Sequence, residues 1–462
     1  MFLDLPTDLL EEIGKELAPT DQACLRAACR ILEGVTQRLF FSRLVLRTGP
    51  HLSARRNLDF ELLRALTSGM TGWNAHARRI EFVPGPYVRL EPKTKLSFLR
   101  LGKEKKRQSR EKEAETLFKS ALTKMMNVQA ILWRPSSRDV PSQRVAIADF
   151  VCRLPVLDEF GLDIRCIDLE SDAFTLPSVR EVRRLELTTF PWGEDTSSRR
   201  GHLMANLIRV QNQLTCLHLN SPAKWTEVWV ALREARIQLT DITATAVTAD
   251  LFKYLLSYTG LEKLNFTFQD AGSQEENNRL ADGFHESVLL HHADTLVELS
   301  CATGYEGRFS FGEHNAHVVA QLHHLNFLAM RVSSTATPRD WGLGMCVDED
   351  SIDVESADID LPVNLLLDTV AALPRLRHLT IAAADTEDNR YICSHCAENR
   401  IRHFRVVQNK AIARVVKDFR RRVASPFEVQ VGEEIYGLRP VEGVEEREIS
   451  QYYLKGRVLL DS

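Results

Sequence analysis

A loose internal repeat constrains this chain most strongly. After residue 50, short apolar strand segments recur behind helical stretches. Successive segments begin 22 to 35 residues apart, except for two steps of 51. The strand cores are Ile80-Glu81-Phe82, Ile131-Leu132-Trp133, Phe160-Gly161-Leu162, Leu185-Glu186-Leu187, Leu217-His218-Leu219, Ile242-Thr243-Ala244, Leu264-Asn265-Phe266, Leu299-Ser300-Cys301, Leu328-Ala329-Met330 and Leu379-Thr380-Ile381. One such unit cannot bury its apolar face alone, so the pattern predicts stacked units that share a continuous core.

The helical half of a unit is clearest before the core that starts at Leu264. Leu251, Leu255 and Tyr258 recur at helical spacing, and Gly260 follows as a helix stop. From the fourth core onward an apolar residue also precedes each core by three positions, at Val182, Leu214, Leu239, Leu261, Leu296, Leu325 and Leu376. We therefore expect an α/β solenoid, a horseshoe with parallel inner strands.

Strand side chains alternate between faces, so the middle residue of each core should point out of the inner face. These residues form a mixed, mostly small or polar ladder: Glu186, His218, Thr243, Asn265, Ser300, Ala329 and Thr380. They are candidate substrate-binding residues. The alternative is a strand face that only contacts solvent.

The first forty residues predict small helices with an apolar stripe. Pro6 suits the first position of a helix, and Leu9, Ile13 and Leu17 follow at spacings of four. Pro19 should end this helix, with Thr20 as the N-cap of the next. Leu25, Cys29 and Leu32 then continue the pattern on a second helix. So short a segment must either pack on the rest of the chain or offer a face to a partner.

This stretch resembles an F-box. The resemblance rests on Leu5-Pro6, Leu9-Leu10 and Ile13, on Pro19-Thr20-Asp21, and on Cys29-Arg30 with Leu32. After Asp21 the family usually continues directly with apolar residues, whereas this chain has Gln22, Ala23 and Cys24. The later units resemble the irregular leucine-rich repeats that follow an F-box in many fungal proteins. The resemblance implies an F-box helical domain at residues 1–45, a repeat solenoid at 46–385 and a C-terminal capping segment at 386–462.

The same resemblance implies a function. F-box helices bind the Skp-type adaptor of cullin-based ubiquitin ligases, and the rest of the chain selects a protein substrate. The expected adaptor-binding residues are Leu5, Pro6, Leu9, Leu10, Ile13, Leu17, Leu25, Cys29 and Leu32. Catalysis would belong to other subunits, so we expect no enzyme activity and no cofactor. The alternative is a repeat scaffold outside the ubiquitin system, whose N-terminal helices cap the solenoid.

Composition limits the classes of partner and the cellular compartment that we expect. The 462 residues carry a net charge of −4 and nine cysteines, which does not indicate nucleic-acid or membrane partners. An odd, scattered cysteine set fits reduced thiols rather than a disulfide framework. Asp4 and Asp8 lie where a secretory signal would be positive. We expect a cytoplasmic or nuclear protein.

Two insertions and a tail interrupt the pattern. Residues 91–116 mix lysines, arginines and glutamates, which favours a solvated helix or a flexible insertion, and residues 333–361 are acidic. A basic stretch at 400–422 predicts a helix over the end of the solenoid, and Phe427, Val429 and Val431 predict a short strand. A basic amphipathic helix could instead bind a partner.

No catalytic motif stands out. Cys393 and Cys396 have the spacing of half a zinc site, and His403 follows, but a structural zinc site usually needs a second pair. We therefore predict no metal, while a metal or redox enzyme that uses this pair remains a third hypothesis. The pairs His291-His292 and His323-His324 are expected at the surface or half-buried.

Overall fold

The structure is a computed structural model. It describes residues 5–49, 58–85, 101–165, 179, 181–189, 194–221, 223–269, 272–333, 359–385, 394–421, 423–440 and 450–458. The chain divides into two compact units, residues 1–214 and 215–462. This division lies inside the region predicted as repeats, and neither predicted domain boundary coincides with it.

The first unit alternates helices with parallel strands. Its helices are α1 (Thr7–Lys15), α2 (Pro19–Ala28), α3 (Arg30–Phe40), α4 (Leu58–Ser68), α5 (Gly72–His76), α6 (Leu101–Thr123), α7 (Pro141–Arg153) and α8 (Glu194–Arg209). Its strands are β1 (Arg43–Thr48), β2 (Arg79–Pro84), β3 (Ala130–Trp133), β4 (Glu159–Asp163) and β5 (Arg184–Thr188). Each strand pairs in parallel with the next one along the chain.

The second unit continues this alternation. Its helices are α9 (Thr226–Glu234), α10 (Ala249–Leu255), α11 (Gln274–Gly283), a π-helix (Phe284–Leu289), α12 (Glu313–Val319), α13 (Asp360–Ala371) and α14 (Ser394–Asp418). Its strands are β6 (Cys216–Asn220), β7 (Asp241–Ala244), β8 (Lys263–Gln269), β9 (Glu298–Thr303), β10 (Phe327–Val332), β11 (His378–Ala383), β12 (Arg420–Arg421), β13 (Glu428–Val431), β14 (Glu434–Pro440) and β15 (Ser450–Arg457). β6 to β11 are parallel and in chain order.

The repeat prediction is confirmed at the level of strands and core. All the predicted cores lie in strands β2 to β11, and their flanking apolar positions are sealed; Leu264 is 1% exposed and Leu299 and Leu328 are 0% exposed. Gly260 has φ +110°, a left-handed conformation that suits glycine after a helix. The fold is thus a mostly parallel sheet with alternating helices, as in an α/β solenoid.

β1 was not expected as a strand. It begins at Arg43 and pairs in parallel with β2, so the last residues of the predicted helical domain belong to the sheet. Its exposed and buried side chains alternate, with Leu44, Leu46 and Thr48 inside. The recognisable repeat pattern begins only after residue 50, so the sequence did not predict this strand.

The insertion at 91–116 contains part of α6, and described side chains there begin at Gln108. Most of the acidic insertion lies outside the described residues. Its last acidic residue, Asp360, begins α13 and accepts a hydrogen bond from Arg414 of α14 at 2.6 Å. The basic C-terminal helix is therefore held against α13.

The end of the second unit changes strand direction. β13 pairs in parallel with β11 and confirms the predicted strand, but β14 and β15 then pair antiparallel. Gly432, at φ +58°, forms the tight turn between β13 and β14. This antiparallel hairpin ends the parallel succession, as a cap would, and the sequence analysis did not predict it.

Candidate functional site

The apolar stripe of α1 faces two environments. Leu10 is 3% exposed and packs with Leu32 and Val35 in a small buried cluster. Leu9 is 50% exposed and Ile13 is 38% exposed. Since these two lie four residues apart, they occupy one side of the helix. The segment thus keeps a small core and leaves neighbouring apolar side chains outside it.

The other predicted adaptor-binding residues divide in the same way. Leu32, like Leu10, is a core residue and is not available to a partner in this arrangement. Leu5, Leu25 and Cys29 are partly buried against the cluster, Leu17 is half-buried and Pro6 is exposed. Ile31, which the sequence analysis did not select, is 57% exposed.

The helix boundaries differ from the prediction. Pro6 is the N-cap of α1, and α2 begins at Pro19 itself, with Ala18 as its N-cap in place of the expected Thr20. A proline is tolerated at the first helical position because its missing N–H is not needed there. Cys29 is extended and separates α2 from α3, so Leu25, Cys29 and Leu32 do not share one helix.

Polar and close contacts hold the helices together. The Gln22 side-chain amide donates to the carbonyl oxygens of Gly14 at 2.9 Å and Leu17 at 3.1 Å. It therefore caps the end of α1 from α2, which gives Gln22 a structural role. A Cβ on Gly14 would lie 2.8 Å from Leu39 Cδ1, so glycine permits the close approach of α1 and α3.

The helices join β1 through a short and packed connection. α3 ends at Phe40 and β1 begins at Arg43. The Phe41 ring lies edge-on to Trp73 of α5 at 4.8 Å between centroids, and the Arg26 guanidinium lies 4.7 Å from the Phe41 ring centroid. The Ser42 carbonyl also accepts backbone hydrogen bonds from Arg78 and Arg79. A packed connection of this kind fixes the orientation of the helices within the first unit.

The predicted polar ladder forms a single row in the second unit. Strand register places His218 opposite Thr243, and the row continues through Asn265, Ser300, Ala329 and Thr380 to Gln430. Most of these side chains are half-buried, while Thr243 is buried at 8% exposure. The predicted alternation of strand side chains between the two faces of the sheet is confirmed. The role of the row residues in substrate binding stays a prediction.

The corresponding row in the first unit ends at Glu186. It runs from Val45 through Glu81, Leu132 and Gly161 to Glu186. Glu81 is 4% exposed. Burial alone would raise its pKa, but hydrogen bonds and ion pairs with Arg43 and Arg79 lower the pKa below its usual value. This part of the strand face carries paired charges.

A cluster of metal-ligand type lies at the start of the second unit. Cys216 Sγ is 3.3 Å from His218 Nε2 and 3.2 Å from Asp241 Oδ2, and His218 Nε2 is 3.5 Å from Asp241 Oδ1. The three potential ligand atoms lie within 4.8 Å of one another. The sequence analysis had placed only His218 in the strand-face ladder. The available signal was Cys-x-His in one strand core with an aspartate one repeat later.

The structure does not test the thiol pair considered from the sequence. Cys393 lies outside the described residues, and the side chains of Cys396 and His403 do as well. The predicted absence of metal and cofactor therefore stays a prediction for this segment.

The histidine pair at 291–292 is more buried than expected. His292 is 2% exposed, and its Nε2 donates to the Leu255 carbonyl oxygen at 3.0 Å. Burial lowers its pKa to about 4. His291 bonds the Tyr258 carbonyl in the same way, at 2.8 Å. Both histidines therefore connect one repeat to the helix of the preceding one, while His323 is exposed and His324 half-buried.

Comparison with known proteins adds no family assignment. No protein-family model matches the chain, and no curated protein matches it significantly. Among the described residues, every helix is too short or too polar to cross a membrane.

Proposed function

We propose that this chain is a substrate-recognition subunit of a Skp/cullin/F-box-type ubiquitin ligase. The N-terminal helices bind the Skp-type adaptor, which connects to the cullin scaffold, and the repeats bind a protein substrate. The observation that carries the proposal is the exposure of Leu9 and Ile13 beside the buried Leu10. The F-box-like sequence supports it, because the motif residues include both the core and the exposed side of α1.

The mechanism is one of proximity. The chain holds a substrate near a ubiquitin-transferring subunit and so raises its effective concentration. The close connection from α3 to β1 supports this role, because a fixed orientation favours transfer to particular substrate sites. The polar row from His218 to Thr380 offers hydrogen-bonding groups for the substrate.

Co-expression with a Skp-type adaptor tests the adaptor surface. The variant Leu9→Asp/Ile13→Asp should lose co-purification. Full burial of each side chain contributes about 1.5–3 kcal/mol, and these half-exposed side chains have roughly half of that still to gain, so the pair contributes about 10- to 100-fold in affinity. The matched control is Val145→Asp/Leu361→Asp, which alters side chains that are 58% and 78% exposed elsewhere. Adaptor binding that survives in the first variant, with both variants folded, contradicts the proposal.

Substrate-side partners should be sought with the same variants. Deletion of residues 1–45 would cut into β1, whereas Leu9→Asp/Ile13→Asp keeps the sheet intact. Proteins captured equally by the wild type and this variant are substrate-side candidates. Proteins lost with the variant belong to the ligase side.

The second candidate is a repeat scaffold capped by its N-terminal helices. The contact of Phe41 with Trp73 favours it, because α3 packs against α5. A cap gives no complex with the adaptor and no gain in solubility on co-expression. It leaves the exposure of Leu9 and Ile13 without a role.

A further inference from the structure

Strand register brings Cys216, His218 and Asp241 together. Cys216 and His218 are two residues apart on β6, so their side chains lie on one face. Asp241 on β7 is the direct register partner of Cys216. Cys216 is 5% exposed, and the side chains of His218 and Asp241 are 24% and 20% exposed. The cluster is therefore partly shielded but open on the outward side of the sheet.

The separations between their ligand atoms are close to the edges of a tetrahedral metal site. Zinc lies about 2.3 Å from a cysteine sulfur and about 2.0–2.2 Å from histidine nitrogen and carboxylate oxygen, which places ligand atoms about 3.3–3.6 Å apart. The observed separations are 3.3 Å from Cys216 Sγ to His218 Nε2, 3.2 Å from Cys216 Sγ to Asp241 Oδ2 and 3.5 Å from His218 Nε2 to Asp241 Oδ1. The two aspartate distances end on different carboxylate oxygens, so the Asp241 carboxylate must rotate to bring one oxygen toward both neighbours.

The same atoms do not fit a cysteine-protease-like arrangement. There the histidine uses one ring nitrogen for the nucleophile and the other for the orienting carboxylate. Here His218 Nε2 faces both the Cys216 sulfur and the Asp241 carboxylate. Convergence of three different donors toward one point is the arrangement of a coordination site.

The surrounding charges are compatible with a cation. Lys263, the register partner of Asp241 on its other side, donates to Glu298 at 2.5 Å. This hydrogen bond, followed by the negative charges of Glu298 and Asp241, raises the Lys263 pKa against the opposing effect of burial. The nearby ammonium is thus engaged by a carboxylate of the next strand.

We propose that Cys216, His218 and Asp241 bind a zinc ion through one sulfur, one nitrogen and one oxygen ligand. Thiolate and imidazole ligands select zinc over calcium or magnesium. The thiol loses its proton to solvent on binding. The fourth ligand is a water molecule or a donor side chain of a partner that contacts the strand face. The site does not depend on the adaptor-binding proposal, because it lies wholly in the second unit.

Titration of the metal-free, reduced full chain with Co²⁺ tests the site. Cobalt substitutes for zinc, and a cysteine ligand gives a thiolate-to-cobalt absorption band. We expect one Co²⁺ per chain, the band, and displacement by Zn²⁺. Cys216→Ser should abolish the band and weaken binding at least about 100-fold, since even residues that only orient metal ligands contribute 10–100-fold.

Two further variants keep the test valid even if replacement of the buried Cys216 destabilises the chain. His218→Asn and Asp241→Asn alter partly exposed ligands, and each should weaken Co²⁺ binding at least about 10-fold. The matched control is Cys393→Ser/Cys396→Ser, which removes the other candidate thiols and should leave the band unchanged. The proposal is overturned by absence of stoichiometric binding, by a band that survives in Cys216→Ser, or by a band that is lost in the control.

Discussion

The N-terminal helices and the repeats differ in how completely they bury their apolar side chains. In the repeats, the side chains of Leu264, Leu299 and Leu328 are buried because each strand pairs with the strand of a neighbouring repeat. In the helices, Leu10 is buried, whereas Leu9 beside it is half-exposed. A repeat supplies a partner for its apolar face within the chain. The helices bury one part of their apolar stripe and leave another part exposed.

The largest expected effect tests the sealed part of this comparison. Leu264→Ala should lower the free energy of unfolding by about 2–5 kcal/mol, because it removes buried methyl groups and leaves a cavity. The control Leu256→Ala changes a side chain in the same unit that is 42% exposed, and should stay within about 0.5 kcal/mol. Urea denaturation of both variants measures the difference. Equal costs would contradict the assignment of a shared core.

A second effect comes from the histidine contact between repeats. His292 binds a proton near pH 6.5 when unfolded and near pH 4 when folded, because burial disfavours its charged form. The contribution of neutral His292 to the free energy of unfolding is therefore complete above pH 6.5 and is lost as the pH falls toward 4. This lowers the free energy of unfolding by about 3 kcal/mol.

The conservative variant His292→Gln separates this titration from the hydrogen bond. Glutamine can still donate to the Leu255 carbonyl but does not titrate. The pH dependence of unfolding between pH 4 and 6.5 should become shallower by about 1.4 kcal/mol per pH unit. The wild-type chain, measured over the same pH range, gives the reference slope. An unchanged slope in His292→Gln would refute this account of acid sensitivity.

The strands of the repeats could be predicted because their pattern is local and recurrent. An apolar pair around one outward residue, preceded by an apolar residue, locates strands such as β8 and β10 without tertiary information. β1 (Arg43–Thr48) was not predicted because it lies between the helical motif, which ends at Leu32, and the first recognised repeat after residue 50. The antiparallel β14 and β15 were missed because the repeat pattern had ended at β11.

The candidate sites show the limit of such prediction. Leu9, Leu10 and Ile13 look alike as apolar residues, and only packing against Leu32 and Val35 shows which of them is core. The cluster of Cys216, His218 and Asp241 depends on strand register across one repeat. Residues 25 positions apart in the sequence become neighbours only when β6 and β7 pair.

A smaller effect on stability is expected in the N-terminal helices. Gln22→Ala removes two side-chain hydrogen bonds to the end of α1 and should cost about 1 kcal/mol. Hydrogen exchange of the α1 amides should accelerate, because the small cluster around Leu10 provides little other support. Gln37→Ala removes the same kind of side chain from α3 and serves as the control. Equal exchange of α1 in both variants would show that the Gln22 contacts do not hold α1 in place.

The smallest expected effect is the most informative about function. Leu9→Ser should change the free energy of unfolding by no more than about 0.5 kcal/mol, because the side chain is already half-exposed. Leu10→Ser, one residue away, should cost several-fold more, since it places a hydroxyl in the cluster with Leu32 and Val35. Thermal unfolding of the two variants gives the contrast. A large loss in Leu9→Ser would mean that the chain itself covers this side chain, and the proposed adaptor surface would then lose its physical basis.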